Sequence, residues 1–176
     1  MSKAVMLSIR PKWVEKIASG EKTIEVRKTR PKLDTPFKAY IYCSQGNDAR
    51  RLRGSWGKVI GEFTCDLIYE LETHSPGGSY YVKGQGQPTT NDVARQSCLT
   101  LKDMHKYLQS KVGYGWHISG LLIYDQPREL TAFRRLCPND LCCEACAMYS
   151  NNGGICNNGA LPLRRPPQSW CYVEAG

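Results

Sequence analysis

The pattern of apolar and polar positions predicts a mainly β fold with two or three short helices. Short runs of apolar and β-branched residues bounded by turns or charges predict strands at 5–9, 37–43, 116–124 and 169–173. The run 58–71 predicts one long strand, with a bend possible at Gly61. Between 23 and 27 polar and apolar residues alternate, so a strand there would point Ile24 and Val26 inward. Glu25 and Arg27 would then project together from the opposite face.

Two segments have helical spacing. In the first, Pro11 suits an opening turn, apolar residues recur three and four positions apart, and Gly20 can end the helix. In the second, Thr100 can cap a helix with Asp103 three residues on. The segment 73–97 is rich in Gly, Gln, Ser and Thr, which predicts a long loop.

These elements are mostly sequential and joined by short connections, which favours a small antiparallel β-barrel of the α+β class. No internal repeat or flexible linker divides the chain into comparable halves. We therefore expect one domain over residues 1–176.

Charge is unevenly distributed along the chain. The net charge is +8, and residues 1–38 hold ten Lys/Arg against four Asp/Glu. A concentrated basic stretch favours a phosphate backbone or a nucleotide as partner. No run approaches the roughly 20 apolar residues that span a bilayer, so no membrane association is expected. Arg10 and Pro11 interrupt the first apolar run too early for a signal peptide, which predicts a cytoplasmic location.

Residues 20–27 concentrate the candidate chemistry in the motif G-x-K-x-x-E-x-R. Lys22 would lie at the mouth of a strand whose exposed face bears Glu25 and Arg27. Arg27 can hold a phosphate or carboxylate through two parallel hydrogen bonds, and Glu25 can orient either cation or accept from a base. The alternative is an exposed ion network with no role in binding.

Further candidate contacts surround this motif. Phosphates could meet Lys12 and a basic loop, and bases could stack on aromatic side chains. The residues concerned are Lys12, Arg50, Arg51, Arg53 and Trp116.

The motif resembles the signature of the ASCH domain family, which lies within the wider PUA-like barrels. The strand turning into a helix at 8–13, the strand at 58–63 and the closing strand at 170–173 fit the same pattern. The resemblance implies a PUA-like β-barrel whose cleft, beside the first helix, binds RNA or a nucleotide-like small molecule.

The same resemblance raises an enzymatic alternative, because some members are amidohydrolases acting on acylated cytidine and others are ribonucleases. In the amidohydrolase pattern a lysine is paired with a threonine two or three positions later and with a glutamate on a later strand. Lys22 matches the lysine and Glu62 is a plausible late glutamate. The threonine position falls on Ile24 or Glu25, neither of which carries a hydroxyl. If the protein is an enzyme, Lys22 with Glu25 or Glu62 would be its acid/base pair.

Six of the nine cysteines lie in the last 40 positions, in a segment too polar to form a core. Four have the spacing C-x5-C-x2-C-x9-C, which fits one closed tetrahedral zinc site: Cys137, Cys143, Cys146 and Cys156. Cys142 could replace Cys143. We expect a structural zinc that orders an insertion at 137–158. A disulfide, a redox-active C-x-x-C or an iron–sulfur cluster are the alternatives.

Three function hypotheses follow. The leading one is a binding module for RNA or a modified nucleotide, and the second is a small hydrolase or ribonuclease. The third is a protein-interaction adaptor that uses the cysteine segment and the 73–97 loop. The sequence does not specify the oligomeric state.

Overall fold

The structure is a computed structural model that describes residues 3–45, 53–136 and 161–176. The described part is mostly β, with two sheets and three α-helices. Its strands are β1 (Lys3–Ile9), β2 (Ile24–Arg27), β3 (Phe37–Cys43), β4 (Lys58–Cys65), β5 (Ile68–Thr73), β6 (Tyr80–Val82), β7 (Gly113–His117), β8 (Ser119–Glu129) and β9 (Trp170–Glu174). Its helices are α1 (Pro11–Ala18), α2 (Thr90–Gln96) and α3 (Leu101–Leu108). Short 3-10 helices occupy Arg53–Ser55 and Leu130–Ala132.

The chain divides into two compact units. Unit one comprises Met1–Pro11, Lys38–Glu62 and Tyr124–Gly176, and unit two comprises Lys12–Phe37 and Phe63–Ile123. No helix within the described ranges is long and apolar enough to cross a bilayer.

The five-stranded sheet has the order β8-β4-β3-β1-β9. Its strand β1 pairs parallel with the central strand β3 and antiparallel with the edge strand β9, so the expectation of a purely antiparallel sheet is wrong. Unit one has its own apolar core, in which the rings of Tyr40 and Phe133 meet edge-on with centroids 4.8 Å apart.

The four-stranded sheet has the order β2-β7-β5-β6 and lies in unit two. Apolar residues from its strands pack with residues of α2 and α3: Ile24, Val26, Leu71, Tyr80, Val93, Met104 and Leu108. The α3 prediction is confirmed, because the Thr100 side chain accepts a hydrogen bond from the Asp103 backbone N–H. The two sheets are open, and no closed barrel is found among the described residues.

Three predicted elements are wrong in detail. The strand expected at 116–124 is divided between β7 and β8, which are separated at Ile118. The long strand expected at 58–71 is two strands, β4 and β5, separated at Asp66 and Leu67. The loop expected at 73–97 contains β6 and α2. A reciprocal capping box between Thr89 and Asp92 begins α2, and the sequence carries that T-x-x-D signal.

Candidate functional site

The motif segment connects α1 to β2 through a turn that needs glycine. Gly20 has a φ of +77°, in the left-handed region that glycine adopts without strain. Its N–H donates to the Ile17 carbonyl, and the Lys22 N–H donates to the Lys16 carbonyl. These bonds fasten the start of the motif to the end of α1.

Lys22, Glu25 and Arg27 form one buried ionic network, which we call the motif network. Their exposed fractions are 3%, 7% and 6%. The Lys22 Nζ lies 3.1 Å from Glu25 Oε2, and the Arg27 Nε lies 3.0 Å from Glu25 Oε1. The carboxylate is therefore held at both oxygens by two different cations.

The ammonium group of Lys22 is fully engaged. Besides Glu25, its Nζ donates to the Ile24 carbonyl and to the Ser97 carbonyl, both at 2.8 Å. Three acceptors match the three donors of an ammonium group. The Nζ also lies 5.2 Å from the centroid of the Trp13 ring, within cation–π range.

The turn after α2 holds the motif from the other side. Thr23 N donates to the Gln96 carbonyl at 2.9 Å, and the Ser97 carbonyl accepts from Lys22. Ser97 is fully buried, and its hydroxyl donates to the Ala94 carbonyl. Sequence reasoning missed this support, since no local signal pairs residues that are 75 positions apart.

The two cations determine the charge state of Glu25. Burial by itself raises the pKa of Glu25, but the charges and hydrogen bonds of Lys22 and Arg27 outweigh burial. The pKa of Glu25 therefore lies below its ordinary value, and the group is a carboxylate at neutral pH.

Exposed cations and aromatic rings flank the motif network. Lys12 is exposed, with its Nζ 4.6 Å from the centroid of the Trp13 ring. Lys28 is exposed, with its Nζ 5.2 Å from the centroid of the Tyr107 ring. Tyr107 lies on α3 and was not among the predicted site residues, although it falls outside the apolar stripe of that helix.

Two other predicted residues, Trp116 and Glu62, are not members of the motif network. Trp116 is fully buried and meets the Phe37 ring edge-on with centroids 5.7 Å apart, so it presents no open face for a base. Glu62 lies in unit one, where it accepts from Tyr124 and pairs with Lys38.

The remaining predicted residues lie outside the described part of the chain. They are Arg50, Arg51, the side chain of Arg53, Cys137, Cys143, Cys146 and Cys156. Within the described ranges, no group of three or more His, Cys, Asp or Glu side chains is placed to hold a metal ion.

Comparison with known proteins supports part of the family resemblance. The ASCH domain model matches residues 7–73. No curated protein matches the chain. A variant of the ASCH protein of Zymomonas mobilis, in its crystal structure, has a TM-score of 0.50 at 16% identity, covering 98% of this chain and 91% of that one. The crystal structure of ASCH from the same organism has a TM-score of 0.49 at 17% identity, covering 97% and 87%. The first likeness shows an ASCH-like fold.

Proposed function

We propose that unit two binds RNA or a nucleotide-like small molecule at the motif network. The observation that carries this proposal is the burial of three charged side chains within a segment that matches the ASCH domain. Such a network is often no more stabilising than apolar residues of similar volume, so stability alone does not explain it. The ASCH domain is a PUA-like fold generally linked to RNA binding, which supports the same ligand class.

The charge around the network suits an anionic ligand. Residues 12–32 hold seven Lys/Arg against three Asp/Glu, a net charge of +4. The exposed Lys12 and Lys28 can meet phosphates directly, while Glu25 holds the Arg27 guanidinium in one orientation. Arg27 itself is 6% exposed, so the direct phosphate contacts would fall to the two exposed lysines.

The same geometry favours binding over acid/base catalysis by Lys22 and Glu25. A general base needs a free lone pair, whereas Lys22 donates toward three acceptors. Glu25 would be a weak base, because its two cations lower its pKa and already pair with both of its oxygens. The hydrolase remains the second hypothesis.

The test compares two variants that each remove two positive charges from exposed positions. Lys12→Ala/Lys28→Ala removes cations beside the network, and Arg164→Ala/Arg165→Ala is the matched control in unit one. The probe is a short single-stranded RNA, with affinity measured at several salt concentrations. We expect the first variant to bind more weakly, with a salt slope reduced by about 1.4 if both contacts are lost. The control should keep the slope of the wild-type protein.

Equal losses in both variants would mean that attraction is spread over the surface, and the proposed site would be wrong. The same mixtures are analysed for products. Conversion of the RNA, or of an added acylated cytidine, would support the hydrolase hypothesis instead. If the protein neither binds nor converts the RNA, the adaptor hypothesis would be favoured.

We also propose that the four cysteines Cys137, Cys143, Cys146 and Cys156 hold a structural zinc ion. The spacing of the thiolates supports this, and four thiolates would leave no open position for a substrate. Metal analysis of the purified protein should find about one zinc ion per chain. Cys143→Ser/Cys146→Ser should lose the metal, whereas Cys98→Ser, at a free cysteine in unit two, should keep it. A zinc content near zero in the wild-type protein would contradict this assignment.

A further inference from the structure

Tyr107 is a large aromatic side chain left partly open to solvent at the end of α3. Its exposed fraction is 39%, whereas Met104 and Leu108 on the same helix are fully buried. Leaving an aromatic ring in water forgoes the stabilisation that burial would give it. An exposed aromatic beside a cluster of charges is therefore a candidate for ligand contact.

The surroundings of Tyr107 connect it to the motif network. The Lys28 Nζ lies 5.2 Å from its ring centroid. Burial raises the pKa of the Tyr107 hydroxyl, the charge of Arg27 lowers it, and the charge of Glu25 raises it. Lys28, which contacts the Tyr107 ring, directly follows Arg27 in the chain and so adjoins the motif network.

The end of α3 holds the ring in place. Gln109 and Ser110 both adopt left-handed backbone conformations, with φ of 56° and 57°, and end the helix. The Ser110 hydroxyl accepts from the Gly77 N–H at 3.0 Å, and the Lys111 carbonyl accepts from the Tyr80 hydroxyl at 2.9 Å. A ring on a fastened helix end loses little freedom when it contacts a ligand.

We propose that Tyr107 is the platform on which a nucleobase of the ligand stacks, with Lys28 beside it to take the adjacent phosphate. This inference rests on the proposed function and narrows its ligand class to molecules that carry an aromatic base next to a phosphate. A tyrosine ring can stack on any base, because every base has a π-face. Lys28 would leave the ring for the phosphate, which exchanges a weak cation–π contact for a charge-assisted hydrogen bond.

Two other aromatic residues of unit two suit this role less well. Trp116 is fully buried. The Trp13 ring is contacted by two lysines, with Nζ atoms 4.6 Å and 5.2 Å from its centroid. One of these is Lys22, which the network holds in place, so a base would have to compete with a fixed cation at Trp13.

The experiment separates stacking from charge by using ligands with and without bases. Tyr107→Leu removes the aromatic ring and keeps apolar volume, while Tyr107→Phe keeps the ring. The matched control is Leu101→Ala, which shortens an exposed apolar side chain (44% exposed) on the same helix. Each variant and Lys12→Ala/Lys28→Ala is titrated with single-stranded RNA and with inorganic polyphosphate, and its thermal unfolding is recorded.

We expect Tyr107→Leu to weaken RNA binding by about fivefold to a hundredfold, and to leave polyphosphate binding unchanged. Tyr107→Phe and Leu101→Ala should bind RNA like the wild-type protein. Lys12→Ala/Lys28→Ala should weaken binding of both ligands.

Wild-type RNA affinity in Tyr107→Leu would overturn the stacking platform and leave the proposed function intact. Equal losses for RNA and polyphosphate in Tyr107→Leu, with a lowered unfolding temperature, would assign the residue a structural role. Failure of the wild-type protein to bind either single-stranded RNA or free nucleotides would overturn the proposed function and the platform together.

Discussion

Glu25 in unit two and Glu62 in unit one are held by similar partners at very different depths. Glu25 is paired with Lys22 and Arg27, and its side chain is 9% exposed. Glu62 is paired with Lys38 and accepts from the Tyr124 hydroxyl, and its side chain is 22% exposed. The lysines differ more, with side chains 2% exposed for Lys22 and 36% for Lys38.

Depth decides what each network requires of its members. In the motif network every partner must be present, since a charge left alone in a dry site has no water to replace the lost contact. Around Glu62 water can take over from a missing partner, so the pairing is optional for folding. Residues of the motif network should therefore resist substitution, which makes its exposed neighbours better probes of binding.

The largest expected effect is that of Lys22→Met, which keeps most of the apolar stem and removes the charge. Glu25 would keep only Arg27, and the carbonyls of Ile24 and Ser97 would lose their donor. We expect the free energy of unfolding to fall by about 3–5 kcal/mol, measured by urea denaturation.

The double variant Lys22→Met/Glu25→Gln is the control for this effect. Removing the carboxylate together with its cation should cost less than the two single substitutions added together. A loss below about 1 kcal/mol for Lys22→Met alone would mean that water reaches the motif network. The deeper burial of Glu25 compared with Glu62 would then not raise the cost of removing a partner.

The sequence predicted β2 well and its surroundings poorly. Alternation located the strand and placed Ile24 and Val26 inward, but all four residues from Ile24 to Arg27 are buried. Polar residues at every second position ordinarily indicate a solvent face. Here Lys22 and the Ser97 carbonyl belong to the same network, and that tertiary contact cannot be read from the period of the strand.

In the segment 73–97, the secondary structure itself could not be predicted from the sequence. Its glycines and polar residues predicted a loop, and β6 has only three residues, too few for a periodic signal. The capping box of α2 was visible as Thr89 and Asp92, yet the helix it begins has only two buried residues, Val93 and Ala94. Because α2 was not predicted, the contact between Lys22 and the turn after α2 could not be predicted either.

The next effect concerns pH. Because the folded pKa of Glu25 lies below its ordinary value of 4.5, Glu25 contributes stability that is fully present above pH 4.5. That contribution is lost as the pH falls through the lowered folded value. The unfolding free energy of the wild-type protein should therefore fall more steeply below pH 4.5 than that of Glu25→Gln, as urea denaturation at a series of pH values would measure.

Glu62→Gln is the matched control at the shallower site. Burial raises the pKa of Glu62, but the hydrogen bonds of Tyr124 and Lys38 outweigh burial. The pKa of Glu62 therefore lies below its ordinary value, as that of Glu25 does. Solvent screening at this partly exposed site makes the contribution smaller. Parallel pH curves for wild type and Glu25→Gln would show that Glu25 does not titrate differently in the folded chain, contrary to its depth.

The smallest effect is expected for Lys38→Met, the counterpart of Lys22→Met in unit one. Lys38 lies 3.0 Å from Glu62 Oε1 and donates to the Gly176 carbonyl at 3.1 Å. After the substitution Glu62 keeps the Tyr124 hydroxyl at 2.6 Å and gains water, so urea denaturation should show a loss of about 0–1 kcal/mol. A loss as large as that of Lys22→Met would mean that the partners of a carboxylate, rather than its depth, decide the cost of breaking these networks.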